Sequence, residues 1–281
     1  MKNFTLDDQA LNELMTYMKQ IMKGVRKAKK LIKLNAQIQN SKIPVSPKFW
    51  GDLISYAKSL GIDLIGFTEI DEYFIFKEEM IGYRIANKIL DNAIVLGMEM
   101  KKDAIEQAPE SAAGNEAMRV YAELGIVTNQ LATYLQEQGY QAQPFHPFGG
   151  PVLYPPMAQK AGLGEIGYNG LLITKEFGPR LRLSMIATNA TPLPRFPYSN
   201  FGIRTYCKTC GLCIKNCPTH AILPGDQKCI SPNGKYIQNI DADKCFPQFF
   251  KTHGCSICIK VCPFSKVGYE KIMQKAIISE K

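Results

Sequence analysis

The sequence predicts an α/β or α+β domain followed by a smaller domain organised by clustered cysteines. Two observations support this division of the 281-residue chain. Over the first two thirds, segments with helical apolar spacing alternate with short strand-like apolar runs, which is typical of layered helices and strands. The last third instead holds all nine cysteines, eight of them in two dense motifs. We place the divisions at residues 1–42, 43–195 and 196–281.

The first segment is predicted to be a basic, amphipathic helical extension. Residues 23–33 carry six positive groups and no acidic one, and they account for much of the formal net charge of +9. Ile21, Val25, Ala28 and Ile32 recur at helical spacing, which favours one dry stripe beneath a solvated basic face. We expect no specific nucleic acid partner, and we consider this face a docking surface for a redox partner.

The second segment alternates helices with strands. Ser46 is placed to cap a helix that has Pro47 in its first turn and Gly61 at its end. A long helix is predicted over residues 114–138, with Gly139 at its C-terminal end. Strands are predicted at residues 63–70, 92–100, 170–174 and 180–188.

Cellular location decides how the cysteines are interpreted. No apolar run is long enough to span a bilayer, and the N-terminus has neither a signal peptide pattern nor a twin arginine. We therefore expect a cytoplasmic protein. Thiols in a reducing compartment rarely pair as disulfides, so clustered cysteines indicate metal ligands.

The run "CKTCGLCIKNCP" begins at Cys207 and follows the pattern C-x2-C-x2-C-x3-C-P of bacterial two-cluster ferredoxins. In that pattern the fourth cysteine serves the other cluster. A second set of cysteines must then exist, and "CFPQFFKTHGCSICIKVCP" supplies it. The eight thiolates are enough for two [4Fe-4S] clusters. We predict a first thiol group and a second thiol group, made of Cys207, Cys210, Cys213 and Cys262, and of Cys217, Cys245, Cys255 and Cys258, respectively.

Zinc is the alternative metal, because paired C-x-x-C motifs also build zinc ribbons. The spacing with its trailing prolines favours iron–sulfur clusters. Cys229 lies in a turn-rich insert and is predicted to be a free thiol. His220 and His253 are expected to be neighbours of the clusters rather than ligands, because thiolates already complete both sets.

A glycine-rich stretch separates the long helix from the last predicted strands. "GLGEIG" at residues 162–167 matches the G-x-G-x-x-G pattern of dinucleotide-binding loops. That reading needs a strand before the motif and a helix after it. Here a loop with proline precedes the motif and the strand-like "GLLIT" follows it, which argues against a dinucleotide site. The glycines instead predict a place where the backbone approaches another group closely.

The stretches "AGLGEIGYNGLLITKEFGPRLRL", "CKTCGLCIKNCP" and "DADKCFPQFFKTHGCSICIKVCPFS" together resemble a known family. They are similar to the catalytic subunits of corrinoid-dependent reductive dehalogenases and to epoxyqueuosine reductases, over about residues 46–268. The resemblance implies a nitroreductase-like domain that holds a cobalamin (corrinoid). A two-[4Fe-4S] ferredoxin-like domain that reduces the cobalt would follow it.

The resemblance also implies roles for individual residues. Tyr121 lies at about the place of a tyrosine proton donor, although an ordinary core tyrosine is the simpler alternative. Arg180 or Arg182 would be its basic partner, with Arg180 the first choice. The implied corrinoid contacts are Phe148, Gly164, Glu165, Ile166, Gly170, Leu171 and Arg182.

One departure from the family affects the expected substrate. Epoxyqueuosine reductases carry an aspartate proton donor where Phe148 stands in "FGGPVLY", which argues against a tRNA substrate. His146 partly matches a cobalt-binding motif of another cobalamin fold, but we expect it to shape the mouth of the pocket instead.

The expected function is a cobalamin-dependent reductase that acts on a small organic molecule. A low-potential ferredoxin or flavodoxin would supply its electrons. The alternative is a ferredoxin-type electron carrier, or a corrinoid-reducing partner protein, without substrate chemistry of its own.

Overall fold

A four-stranded antiparallel sheet forms the centre of the computed structural model, which describes residues 8–35, 42–76, 89–194, 200–225, 227–231, 234–252 and 254–279. The strand order is β2-β3-β7-β4, and every neighbouring pair is antiparallel. The arrangement is therefore α+β, one of the two predicted classes. The strands are β1 Ile43–Pro44, β2 Leu64–Glu69, β3 Asn92–Glu99, β4 Ala142–Phe145, β5 Glu165–Ile166, β6 Leu172–Ile173, β7 Leu181–Thr188, β8 Ala190–Thr191, β9 Cys229–Ile230 and β10 Ile237–Gln238.

The helices begin and end close to their sequence signals. Ser46 caps α2 by accepting a hydrogen bond from the backbone N–H of Phe49, and Gly139, at φ 86°, follows α4. The long helix α4 begins three residues before the predicted start. The helices are α1 Asp8–Asn35, α2 Pro47–Ser59, α3 Lys102–Ile105, α4 Ser111–Glu137, α5 Tyr154–Lys160, α6 Ile203–Cys210, α7 Leu212–Asn216, α8 Ala242–Lys251, α9 Ile257–Lys260, α10 Pro263–Lys266 and α11 Tyr269–Ser279.

Both faces of the sheet are covered, which explains the continuous apolar run of β3. Ile94 and Leu96 pack in a core with α2 and α4, whereas Ala93 and Val95 pack on the other face with α5. A strand that is buried on both sides has no need for polar residues at alternate positions. A third core, which includes Ile203, Cys262 and Phe264, lies in the cysteine-rich layer, and Ile259 joins this layer to the core with α2 and α4.

The basic helix α1 packs against α4 and β4. Ile21, Val25 and Ala28 are buried within the second core, whereas Lys23 and Lys27 are exposed. The predicted dry stripe is therefore present, and it joins α1 to the sheet domain. None of the helices in the described parts of the chain is both long and apolar enough to cross a membrane. The cytoplasmic location stays a prediction.

Candidate functional site

The first thiol group faces one shared cavity. Its four sulfur-bearing residues line this small space together with Tyr168, Tyr206 and Phe264. Two come from α6 and one from α7, and Gly211 at φ 58° makes the turn between these helices. Cys262 reaches the cavity from a position fifty residues further along the chain, just before α10. The crossed arrangement thus brings together residues that the spacing alone leaves apart.

The second thiol group is assembled from three separate segments. Cys217 follows α7, Cys245 lies on α8, and Cys258 lies on α9. Burial raises the pKa of the Cys258 thiol most, and nearby thiols raise it further, with Cys245 and Cys255 ahead of Cys213 and Cys217. Cys217 in turn raises the pKa of Cys245 and of Cys255. The structure therefore brings together the four residues that the motif assigns to the second cluster.

Burial disfavours the deprotonated form of most of these thiols when no cation is bound. Burial first, and then neighbouring thiols, raise the pKa of Cys213 and of Cys245 to about 11 and that of Cys262 to about 12. Cys217 differs: burial raises its pKa, but hydrogen bonds from backbone N–H groups beyond it, those of Thr219 among them, bring the net direction below the ordinary value. A coordinating metal deprotonates a thiol outright, so these groups suit metal ligation.

The nine cysteines form no disulfide. Within the described residues, no group of three His, Cys, Asp or Glu side chains is placed to hold a single metal ion. Cys229 forms a hydrogen bond from its thiol to the carbonyl of Ile240 at 2.9 Å and is not among the residues that line the cavity of the first thiol group. His220 is exposed, and His253 lies outside the described residues.

Glu165 and Arg204 join the sheet domain to the cysteine-rich layer. The buried carboxylate of Glu165 accepts hydrogen bonds from the backbone N–H groups of Phe201 at 3.2 Å and Arg204 at 3.0 Å. The Arg204 side chain donates to the carbonyl of Gly167 and lies 4.4 Å from the centroid of the Tyr168 ring. Sequence reasoning missed Arg204, although its place three residues before Cys207 is a usable signal.

The glycine-rich stretch approaches protein rather than open space. A Cβ on Gly164 would lie 2.2 Å from the carbonyl oxygen of Ile173, and one on Gly170 would lie 2.8 Å from Ile240 Cγ2. "GLGEIG" contains β5, which pairs with β6 in a hairpin. Within the described residues 89–194, no helix follows the motif directly, which agrees with the argument against a dinucleotide site. The predicted strand at residues 170–174 is shorter than expected, because Gly170 adopts φ 72° in the turn of this hairpin.

A cavity of about 280 Å³ lies between this hairpin, α5 and the pair β9–β10. Its walls include Glu165, Ile166 and Gly170 of the predicted corrinoid contacts. Drug-sized ligands occupy about 300–1,000 Å³. The cavity by itself is thus suited to a small molecule and is too small for a corrin macrocycle.

Tyr121, Phe148 and Arg182 form a second, separate group. The Tyr121 ring meets the Phe148 ring edge to face at 5.5 Å, and the Arg182 guanidinium lies 4.9 Å from the Tyr121 ring centroid. Arg182 is 9% exposed, and its Nε has no hydrogen-bond partner among the described residues. Arg180 instead forms an ion pair with Glu99. Of the two arginines proposed for Tyr121, the structure brings Arg182 to the ring.

His146 is enclosed in the core rather than placed at a pocket mouth. It is 1% exposed, and burial lowers its pKa to about 4. Its ring lies between two helices where both carry glycine: a Cβ on Gly24 would be 2.8 Å from Nε2, and one on Gly125 would be 2.0 Å away. The expectation that His146 shapes the pocket mouth is therefore wrong, since the ring fills the contact between α1 and α4.

Comparison with known proteins identifies the cysteine-rich layer first. Residues 206–265 match the family of 4Fe-4S double cluster binding domains. These residues therefore form a double [4Fe-4S] cluster binding domain. The prediction of iron–sulfur clusters over zinc is confirmed by this match.

The wider resemblance rests on curated relatives. A tetrachloroethene reductive dehalogenase from Desulfitobacterium hafniense is 34% identical over 227 residues, which is 77% of this chain and 39% of that protein. Another from Sulfurospirillum multivorans is 30% identical over 210 residues, or 70% of this chain and 41% of that protein. An epoxyqueuosine reductase from Shewanella oneidensis is 30% identical over 161 residues, covering 53% and 38%.

Solved structures with the same fold belong to the same two groups. A catabolic reductive dehalogenase superimposes with a TM-score of 0.69 at 23% identity and covers 87% of this chain and 37% of its own. An epoxyqueuosine reductase from Bacillus subtilis gives a TM-score of 0.53 at 20% identity, covering 78% and 66%. The predicted resemblance to reductive dehalogenases and epoxyqueuosine reductases is confirmed. The chain spans about two fifths of the length of the dehalogenases it matches.

Proposed function

We propose that this chain is the core of a corrinoid-dependent iron–sulfur reductase similar to the reductive dehalogenases. Electrons from a low-potential ferredoxin or flavodoxin would pass through two [4Fe-4S] clusters to cobalt and then to a small organic substrate. The crossed grouping of the eight thiols carries the proposal. Each cluster would take three ligands from one motif and one from the other, which fixes two redox centres side by side beside the sheet domain.

The sheet domain is proposed to be the nitroreductase-like part that holds the corrinoid. A solved reductive dehalogenase with this fold is described as B12-dependent. The group formed by Tyr121, Phe148 and Arg182 fits such a site. The buried Nε of Arg182 has no hydrogen-bond acceptor among the described residues, so a bound ligand could supply one. When bound, a corrinoid supplies a strongly reducing, nucleophilic cobalt that the side chains of this chain lack.

The proposed role of Tyr121 is to donate a proton to the substrate. The Arg182 guanidinium lies over its ring and is a positive charge close to the proposed donor. Phe148 meets the same ring at an interplanar angle of 88° and limits its rotation. Arg182 is held on the central strand β7, whose partner at this position is Met98 of β3, so the guanidinium is presented from a rigid element.

Leu171 and Cys258 suggest a path from the second thiol group to the sheet domain. Both side chains pack against the core that contains α4, the helix on which Tyr121 lies. Gly254 supports the same approach, because a Cβ there would lie 3.1 Å from Gly114 Cα at the start of α4. The second cluster would therefore sit against the helix that carries the proposed proton donor.

Anaerobic reconstitution with iron, sulfide and cobalamin tests this function. We expect about eight iron atoms and one cobalt for each chain, since each [4Fe-4S] cluster holds four irons. Reduced protein should then dehalogenate a halogenated phenol or alkene, and Tyr121→Phe should slow turnover about 10²–10⁴-fold with the metal content unchanged.

Three outcomes would contradict the proposal in different ways. Zinc in place of iron would overturn the cluster assignment. Eight irons with no retained cobalt would leave the electron carrier that the sequence also allows. Full turnover in Tyr121→Phe would remove that side chain from proton transfer. Tyr134→Phe is the matched control, because this half-buried tyrosine lies on the same helix but stacks on Phe49.

A further inference from the structure

Helix α6 carries two thiols of the first group but has no side-chain cap of its own. Its N-cap residue is Gly202, at φ 69°, which offers no oxygen to the exposed N–H groups of the first turn. A helix N-terminus with unpaired donors attracts negative charge. Here the acceptor comes from another element, the hairpin strand β5, in the form of the Glu165 carboxylate.

Each carboxylate oxygen of Glu165 accepts one of the two backbone hydrogen bonds. Oε1 accepts from the N–H of Phe201 before the helix, and Oε2 accepts from the N–H of Arg204 in its first turn. The carboxylate is 6% exposed, so water screens it only weakly. It therefore fixes where α6 begins, and with it the direction in which Cys207 and Cys210 face the shared cavity.

Charge at this junction reaches the thiol group. Glu165 accepts from the N–H of Arg204, which lies on α6 three residues before Cys207. The Arg204 guanidinium lies 4.4 Å from the centroid of the Tyr168 ring, and Tyr168 lines the cavity together with the first thiol group. The two charges have opposite signs, and both are held in place: Glu165 by two backbone donors, and Arg204 by Gly167 and the Asn239 side chain. A fixed pair of this kind sets the local potential at a neighbouring redox centre.

We propose that Glu165 is a positioning residue for the first [4Fe-4S] cluster: it anchors α6 and lowers the reduction potential of the cluster that Cys207, Cys210, Cys213 and Cys262 would hold. Arg204 opposes it and raises that potential. The inference rests on the proposed cluster ligation and is independent of the corrinoid. A negative charge disfavours the one-electron reduction of the cluster, because the added electron increases the negative charge already there.

An anaerobic redox titration of the iron-loaded full-length protein, followed by electron paramagnetic resonance, tests the pair. Glu165→Gln removes the charge and keeps the shape, and we expect one of the two cluster potentials to rise while the other stays unchanged. Arg204→Gln should lower the same potential. Glu176→Gln is the control, because this acid is exposed and screened by water, and both potentials should stay as in the wild type.

A purely structural role would not produce shifts of opposite sign. Shifts of the same sign in Glu165→Gln and Arg204→Gln, or unchanged potentials in both, would overturn the inference. If Glu165→Gln does not retain iron, Glu165→Asp takes its place, since it keeps the charge on a shorter side chain. A potential equal to that of the wild type, with iron retained, then supports the inference, and a potential above that of the wild type contradicts it. The iron count of the wild type tests the cluster assignment separately.

Discussion

Replacing Gly125 with alanine tests the contact at which α1, α4 and His146 meet. The new Cβ would lie 2.0 Å from His146 Nε2 and 2.6 Å from Cδ2. These are ring atoms of a side chain that is 1% exposed, so the ring has no free space into which to move. The backbone of α1 blocks the other side, where a Cβ on Gly24 would be 2.8 Å from the same nitrogen.

Two opposing effects decide the size of the change. Alanine in a helix interior is favoured over glycine by about 1 kcal/mol. Overpacking a core by one methyl group costs about 1–3 kcal/mol. Gly51→Ala in α2 isolates the first effect, because a Cβ there meets nothing within 4 Å. The free energies of unfolding of the two variants should therefore differ by about 1–3 kcal/mol, with Gly125→Ala the less stable.

Anaerobic thermal unfolding of the iron-loaded protein at one scan rate measures this difference. At about 2–4 °C for each kcal/mol, Gly125→Ala should unfold at least about 2 °C below Gly51→Ala. Adding His146→Ala removes the ring, so Gly125→Ala should then stabilise that background. If Gly125→Ala unfolds at the same temperature as Gly51→Ala, the enclosed position of His146 is wrong.

Three further predictions concern pH, the thiols and the electron donor. Burial lowers the pKa of His146 from 6.5 to about 4, so the neutral ring stabilises the fold fully only above pH 6.5. About 3 kcal/mol of the free energy of unfolding should be lost as the pH falls from 6.5 to 4. His146→Gln should remove this loss in acid titrations of unfolding. Cys207→Ser and Cys262→Ser should disturb the same cluster signal in electron paramagnetic resonance and Cys217→Ser the other; a shared effect of Cys207 and Cys217 would contradict the crossed grouping. Charge reversal on the exposed face of α1 should slow reduction by ferredoxin while the iron content and the unfolding temperature stay unchanged; the residues to change are Lys23, Lys27 and Lys30. A rate equal to that of the wild type would show that this face does not dock the donor.

The basic helix shows why a substitution is a better test than a deletion. The sequence predicts that residues 1–42 form an extension, and removal of these residues would be the simplest experiment on partner docking. In the structure, Ile21, Val25 and Ala28 are buried in the core shared with α4 and α5. Their loss would expose that core, so only the charged face can be changed without affecting the fold.

Local signals in the sequence were sufficient for the elements and for the cluster chemistry. Ser46 and Gly139 mark helix ends because capping depends on one residue and its immediate neighbours. The spacing of the thiols predicts two cubes because three ligands of each cluster lie within a few residues, except in the second motif, where the gap between Cys245 and Cys255 is bridged by α8.

Contacts between distant segments were decided only by the tertiary structure. Glu165 was expected near a cofactor, yet its two oxygens accept from residues about forty positions away, across a junction that no local pattern describes. Arg182 rather than Arg180 reaches Tyr121, because neighbouring side chains of a strand find different partners once the sheet and α4 are packed. Residue types and spacing determined which chemistry this chain carries. Long-range packing determined which side chains meet to perform it, because each such contact joins segments that are far apart in the chain and no local pattern specifies which segments pack together.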